Sequence, residues 1–222
     1  MREIRLLAID LDGTLVDSAP DLSHCVDRAL ESVGLVPPGE DLTRGWIGDG
    51  IETLLKRAFA HAGAADDTPA FRAAFDTFSA CYRDNLFVQS RLYPEVETTL
   101  ADLERRGIEL ACITNKRFAF ADALLVAAGI RDRFRVLLGG DTLAEKKPSP
   151  MQLLAAAREC GIAPAHAAMV GDSHHDYHAA ADAGFAFIWA SYGYCRHIGA
   201  RRDAAYQTIA AFAELRTAVA GA

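Results

Sequence analysis

The sequence predicts an α/β fold: a parallel sheet flanked by helices, with an α-helical subdomain inserted after the first strand. Three observations carry this reading. Beyond residue 91, short apolar runs alternate with stretches of helical periodicity, the pattern of strands joined by crossover helices. The runs are apolar throughout rather than alternating, as strands covered on both faces require. About ninety residues separate the first run from the second, far more than one crossover helix needs.

The first strand is expected over residues 4–10 (IRLLAID) and the second over 108–114 (IELACIT). Weaker runs follow at 135–139, 167–171 and 185–190. Helices are expected between them, over 96–106, 118–128, 151–160 and 178–183. Gly107, Gly129, Gly161 and Gly184 sit just past their ends, where a left-handed cap is wanted. The insert repeats helical stripes: Leu22, Val26, Ala29, Leu30 and Val33, then Ile51, Leu54, Leu55 and Ala58, then a broken pattern of Phe71, Phe75 and Phe78. The domain division is therefore 1–16 with 91–222 for the α/β core and 17–90 for the helical insert. The alanine-rich tail, 204–222, is expected to end in a frayed helix.

Composition excludes several classes. The 222 residues are 51% hydrophobic and 24% charged, enough apolar material for a sizeable core. No run of 18 apolar residues occurs, so no membrane association is expected. Arg2, Glu3, Arg5, Asp10 and Asp12 occupy the region where a signal peptide needs an apolar run, so a cytoplasmic location is expected. A net charge of −7 argues against nucleic acid as a partner. An anionic ligand would need a local positive site. Cys25, Cys81, Cys112, Cys160 and Cys195 are odd in number and form no CxxC pair, which argues against a disulfide framework or a zinc site. A monomer or homodimer is expected.

Four short motifs carry chemistry. Residues 10–18 read DLDGTLVDS, directly after a strand, and in open α/β sheets ligands bind at the carboxyl ends of strands. Asp10 and Asp12 can enter one crevice there, and close carboxylates call for a hard cation such as Mg²⁺. The plain alternative is a turn with two solvated aspartates. Thr114 and Asn115 follow the second strand and can donate to phosphate oxygens, or simply cap a helix. Lys147 precedes Pro148, so its backbone is held extended, and it can serve as a fixed positive charge; the alternative is a surface lysine. Gly171, Asp172 and Ser173 end another strand, with Asp176 one helical turn on; here the alternative is a capping Asp or Ser that starts the next helix. His174, His175 and His178 invite a transition-metal reading, but an i,i+4 pair lacks a third ligand.

Taken together, these motifs in this order resemble the haloacid dehalogenase superfamily, over residues 4 to about 190. Its DxDGT, Ser/Thr, Lys and GDxxxD motifs match Asp10 and Asp12, Thr114, Lys147, and Asp172 with Asp176. The long insert is similar to the helical cap of one subgroup, on a Rossmann-like sheet. LVDSAPDL, WIGDG, LLKRAF, TNK, GGD, KKPSP and YGY are similar to the phosphoglycolate phosphatases within it. Two departures stand out: His174-His175 where that family usually has Arg-Asn, and Glu95 where Gly is common.

The resemblance implies a phosphatase for a small phosphorylated metabolite, 2-phosphoglycolate first, with Mg²⁺ as cofactor. Asp10 would be the nucleophile and Asp12 the general acid and base. Thr114, Asn115 and Lys147 would bind the transferring oxygens. Mg²⁺ would sit on the Asp10 carboxylate, the Asp12 carbonyl and Asp172, supported by Ser173 and Asp176. Read from the residues themselves, Gly48 and Gly50, before a helix start, can bring backbone amides to a substrate carboxylate; the plain alternative is a turn between helices of the insert. A phosphatase for a sugar phosphate such as N-acetylmuramic acid 6-phosphate, a phosphosugar mutase, or a catalytically idle scaffold are the alternatives.

Overall fold

The structure, a computed structural model, describes residues 3–195 and 206–219. The chain divides into two compact units, one of Met1–Asp17 with Leu92–Ala222 and one of Ser18–Arg91. In chain order the elements are β1 (Leu6–Ile9), β2 (Val16–Asp17), α1 (Ala19–Glu31), α2 (Glu40–Arg44), α3 (Ile51–His61), α4 (Pro69–Asp84) and β3 (Arg91–Leu92). There follow α5 (Val96–Arg105), β4 (Glu109–Ile113), α6 (Phe118–Ala127), β5 (Val136–Leu138), α7 (Met151–Cys160) and β6 (Ala167–Gly171). The last are α8 (His174–Ala183), β7 (Ala186–Ala190), β8 (Gln207–Ile209) and α9 (Leu215–Ala218).

The larger unit is a six-stranded parallel sheet in the order β5-β4-β1-β6-β7-β8. Helices cover it because its strands are apolar on both faces. Leu6, Ala8, Ile113, Met169, Leu153 and Phe187 are buried in one layer of the core. The chain visits β4 and β5 on one side of β1 and then β6, β7 and β8 on the other. β1 therefore marks the point where the strand order reverses, the place where such sheets bind ligands. Register sharpens this: Ile9 lies opposite Cys112 on one side and Val170 on the other. Asp10 thus follows β1 level with the carboxyl ends of β4 and β6. β2 and β3 form a separate two-stranded sheet.

The smaller unit is helical. Leu22, Val26, Ala29 and Leu30 are buried from α1, and Ile51, Leu54, Leu55 and Ala58 from α3. Val33 falls beyond the end of α1 and is only half-buried. The broken aromatic pattern is one helix, α4, which buries Phe71, Ala74, Phe78 and Tyr82 and leaves Phe75 half-buried. Phe59 meets Phe71 edge-on at 5.1 Å between ring centroids, locking α3 to α4. Asp21, buried in the first turn of α1, accepts from the amides of Val88, Gln89 and Ser90 at 2.8–3.1 Å and from the Ser90 hydroxyl at 2.6 Å. It clamps the start of the unit to its end.

Three expectations need correction. A disulfide joins Cys25 on α1 to Cys81 on α4, with 5.6 Å between Cα atoms, although the cysteine spacing argued against one. Packing of two helices distant in sequence made the pair, and spacing carries no record of that. The tail is not simply a helix: within the described residues it supplies β8, a 3-10 turn at Phe212–Glu214 and the single-turn α9. Residues 204, 205 and 220–222 lie outside the described residues. Pairing with β7 and burial of Ile209, Phe212 and Leu215 outweigh the helix propensity of an alanine-rich segment. Finally, α8 starts at His174 rather than at residue 178, because Ser173 and Asp176 cap each other reciprocally.

Candidate active site

The turn after β1 builds the site. Leu15 and Val16 both donate to the Leu11 carbonyl at 3.0 Å, folding residues 11–16 back on themselves. Gly13 makes this possible with φ +84°; a Cβ there would meet Asp172 Oδ2 at 2.6 Å. Asp10 is buried, and its amide donates to Val170 O at 2.9 Å, tying it to β6.

Lys147 is the centre of the arrangement. Its ammonium is buried and lies 2.8 Å from Asp10 Oδ1, 2.6 Å from Asp176 Oδ1 and 2.7 Å from the Ile113 carbonyl. The loop that carries it is fixed by two amides. Asn115 Nδ2 donates to the Lys147 carbonyl at 3.0 Å, and the Lys147 amide donates to Gln152 Oε1 at 3.2 Å. The Lys147–Pro148 peptide is cis. Burial works against the ammonium, but Asp10 and Asp176 outweigh it and raise the lysine's pKa.

The acids are arranged around this charge. Asp172 Oδ2 accepts from the amides of Tyr194 at 2.6 Å and Cys195 at 3.4 Å, and Thr14 Oγ1 donates to its Oδ1 at 3.5 Å. Gly193 lets the YGY segment pass over Asp172: a Cβ there would come within 2.6 Å of its Cγ. Asp176 gives one oxygen to Lys147 and the other to the Ser173 amide at 3.0 Å and hydroxyl at 2.6 Å. Burial pushes the Asp10 carboxyl up to about 7 against the pull of Lys147, with Asp176 adding to the rise. Burial also raises Asp172, and the neighbouring Asp10 and Asp176 raise it further.

Asp10, Asp172 and Asp176 offer oxygens that all lie within 4.8 Å of one another. An all-oxygen set of buried carboxylates suits a hard divalent cation, and it is unsuited to a soft one. Within this set Asp176 has one oxygen on Lys147 and the other on Ser173, Asp10 has Oδ1 on Lys147, and Asp172 has Oδ2 on two backbone amides.

The structure thus joins Asp10, Asp176, Ser173, Asn115 and Lys147 in one network of hydrogen bonds and ion pairs, with Asp172 beside it on its own partners. Thr114 is buried at the end of β4, where its Oγ1 accepts from the Lys116 amide at 3.2 Å. Asp12 turns to a different partner, the ammonium of Lys116, which lies 2.8 Å from each of its oxygens. Gly48 and Gly50 belong to the helical unit, in the turn before α3, with φ +128° and +90°. There Arg57 donates to the Trp46 carbonyl at 2.7 Å and pairs with Asp49, which holds that turn. Sequence reasoning gave no role to Lys116 or Gln152; the TNK motif was the available signal for the first.

A parallel sheet with buried carboxylates and a buried lysine at its switch point is the architecture of an α/β hydrolase. The chain belongs to the haloacid dehalogenase-like hydrolases, whose family model matches residues 4–184. It is 44% identical to a phosphoglycolate phosphatase of Nitrosococcus oceani over 87% of each chain. It is 41% identical to one of Neisseria meningitidis, over 87% of this chain and 83% of the relative. Among solved structures, one of a predicted phosphoglycolate phosphatase from Haemophilus somnus superposes with TM-score 0.89 at 35% identity, covering 98% of both chains. No helix among the described residues is long and apolar enough to cross a membrane.

Proposed function

We propose that this chain is a phosphatase that hydrolyses 2-phosphoglycolate to glycolate and phosphate through an aspartyl-phosphate on Asp10. The observation that carries the reading is the placement of Asp10: a strand-end carboxylate at the switch point, 2.8 Å from the buried Lys147 ammonium. The relatives named as phosphoglycolate phosphatases support the substrate.

In the first half-reaction an Asp10 oxygen attacks phosphorus, and the bond to the leaving oxygen breaks. Asp12 gives that oxygen its proton. In the second, water attacks phosphorus, the bond to Asp10 breaks with its electron pair returning to the carboxylate, and Asp12 takes the proton. Lys147 orients Asp10 and supplies positive charge, while the Thr114 hydroxyl can donate to the transferring oxygens. Mg²⁺, held by Asp10, Asp172 and the Asp12 carbonyl, would neutralise phosphate charge. Ser173 and Asp176 hold the acid side of the site in place. The part proposed for the helical unit is recognition of the leaving group through the amides around Gly48 and Gly50.

The test is phosphate release with Mg²⁺ from 2-phosphoglycolate, sugar phosphates, N-acetylmuramic acid 6-phosphate and pyrophosphate. The expected result is a kcat/KM for phosphoglycolate well above the rest, abolished in Asp10→Asn. Preference for a bulkier ester keeps the chemistry and overturns the substrate. Release that persists in Asp10→Asn overturns the nucleophile.

A further inference from the structure

The turn after β4 carries a second buried ammonium. The Lys116 side chain is only 3% exposed, and its Nζ reaches both oxygens of Asp12 at 2.8 Å. Its backbone is equally fixed: the amide donates to Thr114 Oγ1 at 3.2 Å, and the carbonyl accepts from the Gly140 amide at 2.7 Å. The two lysines therefore divide the two aspartates of the DLD motif between them, Lys147 on Asp10 and Lys116 on Asp12.

That grip has a direction. An ammonium has donors only, so holding both oxygens of Asp12 suits the carboxylate and not the carboxylic acid, which would present an O–H to it. In the proposed reaction the carboxylate exists after the leaving group has taken its proton, and it is needed when water attacks the aspartyl-phosphate. A carboxylate held at both oxygens has one orientation, and proton transfer depends on orientation.

We propose that Lys116 is a positioning residue for the second half-reaction, holding the Asp12 carboxylate where it takes the proton from the hydrolytic water. The inference rests on the phosphatase reading above. In the step concerned, the water oxygen bonds to phosphorus, the Asp10–phosphorus bond breaks, and one water proton moves to an Asp12 oxygen. Lys116 keeps its own protons throughout.

The experiment compares wild type, Lys116→Met and Lys116→Arg on p-nitrophenyl phosphate with Mg²⁺, in steady state and in the first turnover. kcat/KM reports events up to departure of nitrophenolate, whereas kcat also contains hydrolysis of the phosphoenzyme. In Lys116→Met, kcat is expected to fall by about ten- to a hundredfold, part of what general acid–base catalysis supplies, with a clearly smaller fall in kcat/KM. A burst of nitrophenolate should appear, and intact-mass spectrometry after acid quenching should find phosphorylated enzyme. Lys116→Arg should recover most of the loss. Added to Asp12→Asn, Lys116→Met should cost little more, since Lys116 acts through the Asp12 carboxylate. Should the Met variant not fold, Lys116→Gln takes its place in every comparison. Equal falls in kcat and kcat/KM with no phosphoenzyme, or an Arg variant no better than Met, would overturn the inference. Those outcomes leave the phosphatase reading intact; only an inactive wild type or an active Asp10→Asn counts against that.

Discussion

Glu95 holds the one left-handed backbone conformation of a non-glycine among the described residues, with φ +60° and ψ +13°. That conformation costs an L-residue about 1–2 kcal/mol. Glu95 recovers a little through its exposed pairing with Arg216 at 3.0 Å, an interaction of the kind worth about 0–1 kcal/mol. Glycine would carry no such cost. Glu95→Gly is therefore expected to stabilise the protein by up to about 1 kcal/mol, read as a higher urea midpoint with an unchanged slope. A midpoint that falls by as much would show that the Arg216 pairing outweighs the strain. At this scale much of the site was legible. Asp10, Asp172 and Asp176 lie within reach of one another and Lys147 pairs with Asp10 and Asp176, while Thr114 follows the end of β4. Lys116 was not legible, because a lysine after Thr-Asn reads as solvated until the turn folds its side chain back onto Asp12. Gln152 was hidden for a similar reason: a glutamine early in an amphipathic helix shows no sign that its amide donates to the Gly139 carbonyl at 2.8 Å.

Among the elements, the pairing of α1 with α4 carries the clearest consequence. The Cys25–Cys81 bond spans 56 positions of sequence. A crosslink closing a loop of that size stabilises by about 3–4 kcal/mol where loop entropy dominates. Reduction, or replacement of both cysteines by alanine, should lower the stability of the helical unit on that scale while leaving the sheet unit protected. Amide hydrogen exchange resolves the two. Unchanged exchange across α1 and α4 on reduction would mean the helices need no crosslink. The longer helices and the strands β1, β4, β5, β6 and β7 were readable, since apolar runs and 3.6-residue stripes are local signals, whereas the short β2, β3 and α2 carry too few residues to show a pattern. The disulfide and β8 were not readable, because each depends on segments that meet only after folding. The start of α8 escaped for a different reason: a capping Ser or Asp is a local signal, but nothing in the sequence shows that Asp176 serves both the helix cap and Lys147.

For the molecule as a whole, the buried acids couple stability to pH. Asp10 titrates at about 7 when folded, against 3.8 as the reference for an exposed carboxyl. Between those values the unfolded chain has released a proton that the folded chain keeps. The unfolded state then binds fewer protons, so without metal this group makes stability fall as pH rises through that window. Asp172 is raised in the same direction. A divalent cation binds the ionised carboxylates and opposes the loss. The rise in Tm on adding Mg²⁺ to chelator-treated protein should thus be larger near pH 8 than near pH 5, by about 2–4 °C for each kcal/mol regained. An equal rise at both pH values would deny these acids the cation. The Asp21 clamp has a consequence of another kind. By fastening residues 88–90 to the first turn of α1, it brings the entrance and exit of a 74-residue stretch, Ser18–Arg91, under one side chain. A stretch whose ends are tied to each other behaves as a cassette: one splice replaces it whole, and every acid and lysine of the proposed catalytic set stays outside the exchanged segment. With recognition proposed for that stretch, lineages could trade it by recombination while inheriting the proposed chemistry unaltered.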